Sequence, residues 1–387
     1  MEAVVEEAEL LYRRQQGRPT YITTEHRGQP DRFPAFQLHV PQSFLPWNPQ
    51  RRDVVAFPSG NSVLSTCRCG VVMGGVYYTR PAVHEADQTD EASQRYMVAV
   101  KMMDRHQLLL QRDDVENEIR VMRELQPGGF TGVLHNPHLL QWECSNDEAN
   151  EYIATDYVSN GSLLSYTRVR MQELRHQADL QGIQEELKDR MVAEVWVQEA
   201  LRLFLGIVRG LTYIHAHDVA HLDLDPCNVV IDSTLTPRIL DFGSAICLFN
   251  DNANGRAGGG TMLIKCKPLY APPEVRRHNQ SPPPREPFDG AAADMWSAGT
   301  LLYQLLCFGY PMGEYALLMD ANWRHNLLCH AYDRECLQTE CYICVREVQF
   351  PPIVYDLFRS LLNAEQPELR MSALAVANAL TRALASN

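Results

Sequence analysis

The sequence predicts an α+β fold in two segregated lobes, a small β-rich one followed by a larger α-helical one. Two observations carry this. Between about 53 and 157 the apolar residues come in short strand-like runs, 71–78 and 96–102 above all. From 158 onward they recur at helical spacing over longer stretches, 186–217, 295–307, 354–362 and 372–384. Strands gathered in one half and helices in the other mark a segregated architecture. With 387 residues, 45% of them hydrophobic, the chain can fill two cores.

Residues 1–52 read as an N-terminal extension. Val4, Val5, Ala8, Leu10, Leu11 and Tyr12 line one face of a short helix, and Gly17, Pro19, Gly28, Pro30, Pro34, Pro41, Pro46 and Pro49 then break regular structure. The β-rich lobe, 53–157, holds a glycine-interrupted strand (71–78), a polar loop (85–94), a second strand (96–102), a helix over 113–125 and two further strands (139–143, 152–157). Val115, Ile119, Met122 and Leu125 share one face of that helix. The helical lobe is 158–387.

The formal net charge of −13 argues against nucleic acid or an anionic membrane as the main partner. The acidic start, with Glu2, Glu6 and Glu7, does not read as a signal peptide, and no apolar run reaches the length of a membrane span. The 11 scattered cysteines fit free thiols in a reducing cytoplasm, with nuclear access left open. Cys341 and Cys344 have a zinc-ligand spacing, but Cys329 and Cys336 form no second such pair, so free thiols are the expectation there.

The chemistry-bearing residues come in a fixed order. Val98-Ala99-Val100-Lys101 places a lysine on a strand, and Glu118 lies on the inner face of the next helix. His221-Leu222-Asp223-Leu224-Asp225-Pro226-Cys227-Asn228 follows a long helix, and a short strand, Arg238-Ile239-Leu240, delivers Asp241-Phe242-Gly243. An ammonium, a carboxylate to hold it, a second carboxylate beside an amide, and a third carboxylate are the groups that phosphoryl transfer needs.

From about 60 to 385 the chain resembles the eukaryotic protein kinases, of the Ser/Thr type. Three further motifs carry the resemblance. Thr155-Asp156-Tyr157-Val158 resembles the hinge that binds adenine through backbone groups, here those of Asp156 and Val158. Tyr270-Ala271-Pro272-Pro273-Glu274 resembles the close of the activation segment, and Asp294-Met295-Trp296-Ser297-Ala298-Gly299 the helix start that anchors the catalytic loop. The resemblance implies a bilobal kinase fold, ATP and Mg²⁺ as cofactors, and a protein substrate; it leaves the regulatory partner open. It implies Lys101 on the phosphates, held by Glu118; Asp223 at the acceptor hydroxyl; Asn228 and Asp241 on the metal; and Val76, Ala99 and Val230 around the adenine. Met122, His221 and Phe242 would stack, and Arg370 would pair with Glu274.

The chain also departs from the family. Aligned on Val76, the three loop glycines fall at Cys69, Val71 and Gly74, and only Gly74 is kept. Leu222 stands in place of an arginine that pairs with a phosphorylated residue, which argues against control by activation-loop phosphorylation; Thr261 is open to modification, but the sequence offers no partner for it. Asp225 replaces a lysine, and Lys267 replaces a threonine at the facing position, so Lys267 is expected to supply the missing cation with Asp225 holding it. Pro226 favours a Ser/Thr acceptor. A kinase-shaped binding module without transfer is the alternative. Residues 168–194 read as an insertion, either a docking helix or a solvated segment.

Overall fold

The computed structural model describes residues 20–24, 36–40, 44–48, 53–57, 63–79, 94–111, 113–130, 136–248, 263–267, 270–307, 350–363 and 365–385. The helix expected near the N-terminus, Thr261 and the cysteines at 329, 336, 341 and 344 fall outside these residues. Two compact units emerge. The first draws on the chain up to Ile119 and on the stretches ending at Tyr157; Arg120–Leu125, His135–Leu139 and everything from Val158 form the second.

The first unit contains a hairpin of β1 (Thr20–Thr24) and β2 (Phe36–Val40). Its main sheet is antiparallel and has seven strands: β3 (Phe44–Asn48), β4 (Asp53–Ala56), β5 (Val63–Cys67), β6 (Gly70–Tyr78), β7 (Arg95–Asp104), β8 (Trp142–Asn146) and β9 (Asn150–Asp156). Their order is β3-β4-β6-β7-β9-β8, with β5 also on β6. Two helices, α1 (Arg105–Gln111) and α2 (Val115–Leu125), follow β7.

Alternation along β6 and β7 sorts their side chains. Val71, Met73 and Tyr77, with Val98, Val100 and Met102, are buried in a core that includes Leu38, Trp47, Phe130 and Tyr152. Tyr77 packs on Phe130 at 4.8 Å and meets Trp47 edge-on at 6.0 Å. Val72, Gly74, Val76, Ala99 and Lys101 have the other parity and lie on the opposite face, partly open.

Part of the expected extension therefore belongs to this sheet. Pro46 reads as a breaker, but β3 is an end strand with a register shift at Pro46, where a missing N–H costs no ladder bond. Ser145 Oγ, on β8 at the other end of the order, donates to Trp47 O at 2.8 Å.

The second unit is built around α4 (Glu185–Ala216), whose residues Trp196, Ala200, Phe204, Ile207, Leu211 and Ile214 are buried at helical spacing. It packs against α3 (Leu163–Leu180), α6 (Gly290–Cys307) and α8 (Ala373–Ala385). Trp196 Nε1 donates to Leu305 O at 2.8 Å and ties α4 to α6. α5 (Pro273–Gln280) and α7 (Pro352–Leu361) complete the helices among the described residues. Two short antiparallel pairs, β11 (Val229–Ile231) with β12 (Pro237–Ile239) and β10 (Val219–Ala220) with β13 (Ile246–Cys247), frame the loops that carry the polar residues.

The stretch at 168–194 is a helical hairpin of α3 and α4. Arg170 grips Glu199 through two nitrogens, at 2.6 and 2.9 Å, and Lys188 meets Asp179 at 2.5 Å. Arg175 pairs with Asp189. No helix among the described residues is long and apolar enough to cross a membrane.

Candidate active site

Each unit carries its own cluster of chemistry-bearing residues. In the first, Lys101 Nζ sits 2.9 Å from Glu118 Oε2 and 3.1 Å from Oε1. Glu118 lies in the first turns of α2, a helix started by the Asp114 carboxylate, which accepts from Asn117 N at 2.9 Å. Glu118 is buried, so the ammonium is held by a carboxylate largely withdrawn from water.

The register across β6 and β7 revises the expected loop alignment. Val72 stands opposite Lys101 and Gly74 opposite Ala99, while Val76 stands opposite Met97, farther from the lysine. The β5–β6 hairpin turns at Arg68 and Cys69, between the paired residues Cys67 and Gly70. A loop that covers phosphates lies at the turn. Counted from there, the glycine positions are Ser65, Cys67 and Gly70, with Val72 in the apolar place; Gly74 and Val76 sit farther along the strand. Counting from Val76 missed this because Gly74 and Gly75 look like loop residues; the signal was the polar pair Arg68-Cys69 between two strand-like runs. Gly70 itself has a structural reason, since a Cβ there would stand 1.8 Å from Met102 O. Cys69 is buried and its thiol, bonded to Asp113 Oδ2 at 2.9 Å, is pushed far above its usual range, by burial first. Where β9 ends, Asp156 exchanges two bonds with Gln141, its N–H donating to Gln141 O at 3.1 Å and its Oδ2 accepting from Gln141 N at 2.9 Å.

In the second unit the loop 221–228 hangs on one buried carboxylate. Asp294 accepts from His221 N at 2.8 Å and from Leu222 N at 2.7 Å, and its Oδ2 lies 2.9 Å from His215 Nε2. Leu222 has φ of 62°, a left-handed conformation costly for a bulky side chain. The two bonds to Asp294 hold it there. His221 packs edge-on against Phe242 at 5.2 Å, and its Nε2 lies 3.0 Å from Leu240 O.

That loop delivers Asp223, Asp225 and Asn228 together. Asn228 Nδ2 donates to Asp223 O at 2.8 Å and to Asp223 Oδ2 at 3.1 Å, so its amide carbonyl is directed elsewhere. Asp223 Oδ1 accepts from Lys267 N at 3.0 Å. Burial first, then the carboxylates of Asp225 and Asp241, push the Asp223 carboxyl up to about 7, against the pull of Lys267. Asp241 has φ of 66° and follows β12. Asp225 is buried; its Oδ1 accepts from Cys227 N at 2.6 Å, and its Oδ2 meets Lys267 Nζ at 2.5 Å. Val230 lies between the fully buried Val229 and Ile231 and is itself only partly covered; it bridges to Ser162. Arg370 clasps Glu274 at 2.5 and 3.1 Å, and its guanidinium lies 5.1 Å from the centre of the Trp296 ring.

The structure thus brings together Lys101 with Glu118, and Asp223 with Asn228, Asp225 and Lys267. The residues that position them, Asp294 and the Asn279 side chain that grips Ile264 N and O at 2.9 and 2.8 Å, are legible in sequence only for Asp294.

Known proteins agree with this architecture. The family model described as a protein kinase domain matches residues 85–380. Serine/threonine-protein kinase par-4 of Caenorhabditis briggsae is 36% identical over 124 residues, 32% of this chain and 17% of its own length. The SNF1-related protein kinase catalytic subunit alpha of Arabidopsis thaliana is 28% identical over 257 residues, 65% of this chain and 42% of its own. The carbon catabolite-derepressing protein kinase of Secale cereale is 26% identical over 249 residues, 63% and 40%. The chain therefore spans less than half the length of these relatives. The family match covers well over half of the chain, and it accords with the antiparallel sheet, the helical second unit and the ordered polar residues: the chain belongs to the protein kinase family.

Proposed function

We propose that the chain transfers the γ-phosphate of ATP to Ser or Thr hydroxyls of protein substrates. The observation that carries this is the clasp between Asn228 and Asp223. Both residues sit in a loop held in a strained conformation, as expected where geometry serves chemistry. The family's substrate is ATP with Mg²⁺, and the donor set suits it. Mg²⁺ takes oxygen ligands, usually one or two from protein, and completes its shell with water and phosphate. Asp241 and the Asn228 carbonyl would hold the ion, which neutralises phosphate charge when bound.

The chain's own groups then divide the work. Lys101, oriented by Glu118, binds the non-transferred phosphates. Val72, Ala99 and Val230 offer apolar faces to the adenine, and the backbone at Asp156 and Val158 its polar edge. Asp223 orients the acceptor hydroxyl and takes its proton as the bond from acceptor oxygen to γ-phosphorus forms and the bond to the β-bridging oxygen breaks, releasing ADP. Pro226 and the relative named a serine/threonine-protein kinase support that acceptor class. The described cysteines are free thiols, which suits a reducing cytoplasm.

The test is transfer from γ-labelled ATP with Mg²⁺, to the chain itself and to a generic basic protein, for wild type and Asp223→Asn. Transfer by wild type that vanishes in the variant is expected. Mg²⁺-ATP binding without transfer by wild type would overturn the reading in favour of a binding module.

A further inference from the structure

Around Asp223 the charges are unbalanced for phosphate. The carboxylates of Asp225 and Asp241 both lie within electrostatic reach of Asp223, and Lys267 is a cation that acts on Asp223 there. A phosphoryl group brought to this place needs positive charge to offset these carboxylates as well as its own. Lys101 serves the first unit, where Glu118 holds it. The cation in the second unit is not part of the catalytic loop at all. It arrives on residues 263–267, which follow the Asp241-Phe242-Gly243 turn in the chain.

From this geometry we propose that Lys267 is the catalytic cation facing the transferred phosphate and that Asp225 is its positioning residue. The inference rests on the kinase reading above.

Three observations argue for it. First, the position is fixed at both ends of the residue: Lys267 N donates to Asp223 Oδ1 at 3.0 Å and its Nζ meets Asp225 Oδ2 at 2.5 Å. Its backbone thus touches the carboxylate assigned to the acceptor. Second, Asp225 is a poor choice for a loop that must approach phosphate unless its charge is answered. Its side chain is 1% exposed, its Oδ1 is occupied by Cys227 N, and Oδ2 is turned to the ammonium. A buried carboxylate without that partner would be costly. Third, the Lys267 side chain keeps 35% exposure, and an ammonium has three donors, so pairing with Asp225 leaves donors for a phosphate oxygen.

The seat of the segment is apolar. Ile264 is buried in a cluster with Ala220, Leu222, Val275, Phe288 and Ala293. Asn279 grips Ile264 N and O at 2.9 and 2.8 Å, and Ser244 Oγ donates to Lys265 O. Leu222 thus joins the segment to the catalytic loop by packing.

The experiment is a charge transposition in the full chain. Steady-state kcat, KM for ATP, Mg²⁺-ATP affinity and thermal unfolding are measured for wild type, Lys267→Met, Asp225→Asn and the double variant Asp225→Lys/Lys267→Thr. Lys267→Met is expected to lower kcat about 100-fold with nucleotide affinity near wild type, and to lower the unfolding temperature because the buried Asp225 carboxylate loses its partner. The double variant, which returns the cation to the catalytic loop, is expected to recover to within about tenfold of wild type. Wild-type turnover that survives Lys267→Met within about threefold, while Asp223→Asn abolishes it, overturns the inference and leaves the kinase reading standing. A Lys267→Met loss that the double variant does not recover also overturns it, since a structural lysine would behave so. Absence of transfer by wild type would remove both.

Discussion

Two lysine–carboxylate pairs, one in each unit, do different jobs. Lys101 and Glu118 join a strand to a helix through both carboxylate oxygens, at 2.9 and 3.1 Å, with the lysine 23% exposed. Lys267 and Asp225 join a loop to a segment through one oxygen at 2.5 Å, with the lysine 35% exposed and the carboxylate buried. The first pair stands on regular elements, and its geometry is set when the sheet and α2 fold. The second stands on a segment held by the apolar cluster around Ile264, the Asn279 grip, the Ser244 hydroxyl on Lys265 O and the Asp223 carboxylate on Lys267 N. One cation stands on a strand; the other stands on a segment packed against the catalytic loop through Leu222.

The largest effect expected from breaking this comparison is Lys101→Met. It should lower kcat/KM about 1000-fold, roughly 4 kcal/mol of transition-state stabilisation, and weaken Mg²⁺-ATP binding, whereas Lys267→Met acts on kcat. Steady-state kinetics with a direct nucleotide titration separates the two. Next comes Asp294→Ala, which leaves the His221 and Leu222 amides without their acceptor; a stability loss of about 3 kcal/mol is expected in denaturant melts. Ile264→Ser should loosen the segment alone. It is expected to lower kcat about tenfold, with nucleotide affinity unchanged, and to raise hydrogen exchange in 263–267 ahead of α4. The smallest effect sharpens the first unit. Cys67→Gly, at the hairpin turn, should lower KM for ATP about threefold by letting the backbone approach the phosphates.

Much of this was legible in the sequence because regular elements advertise themselves. The strand with Lys101, the helix with Glu118 and the loop with Asp223 and Asn228 lie where periodicity and spacing put them. The place of the hairpin turn was not legible, because Gly74 and Gly75 imitate loop residues inside a strand while the turn falls at Arg68 and Cys69. β3 was hidden because Pro46 is tolerated only at a sheet edge, and edge status is a tertiary fact. The 168–194 hairpin was unreadable as such, since its two helices are fixed to each other by ion pairs between residues far apart in the chain, Arg170 with Glu199 and Arg175 with Asp189. Asp225 and Lys267 were legible as a pair only because both departed from the family together. Their 2.5 Å contact required the fold.

The most direct measurement is single-turnover transfer by wild type at saturating Mg²⁺ and γ-labelled ATP, followed by acid hydrolysis and separation of the phosphoamino acids. Phosphoserine or phosphothreonine is expected, formed in wild type and absent in Asp223→Asn. Bound ATP with no phosphoamino acid, or label found only on tyrosine, would contradict it.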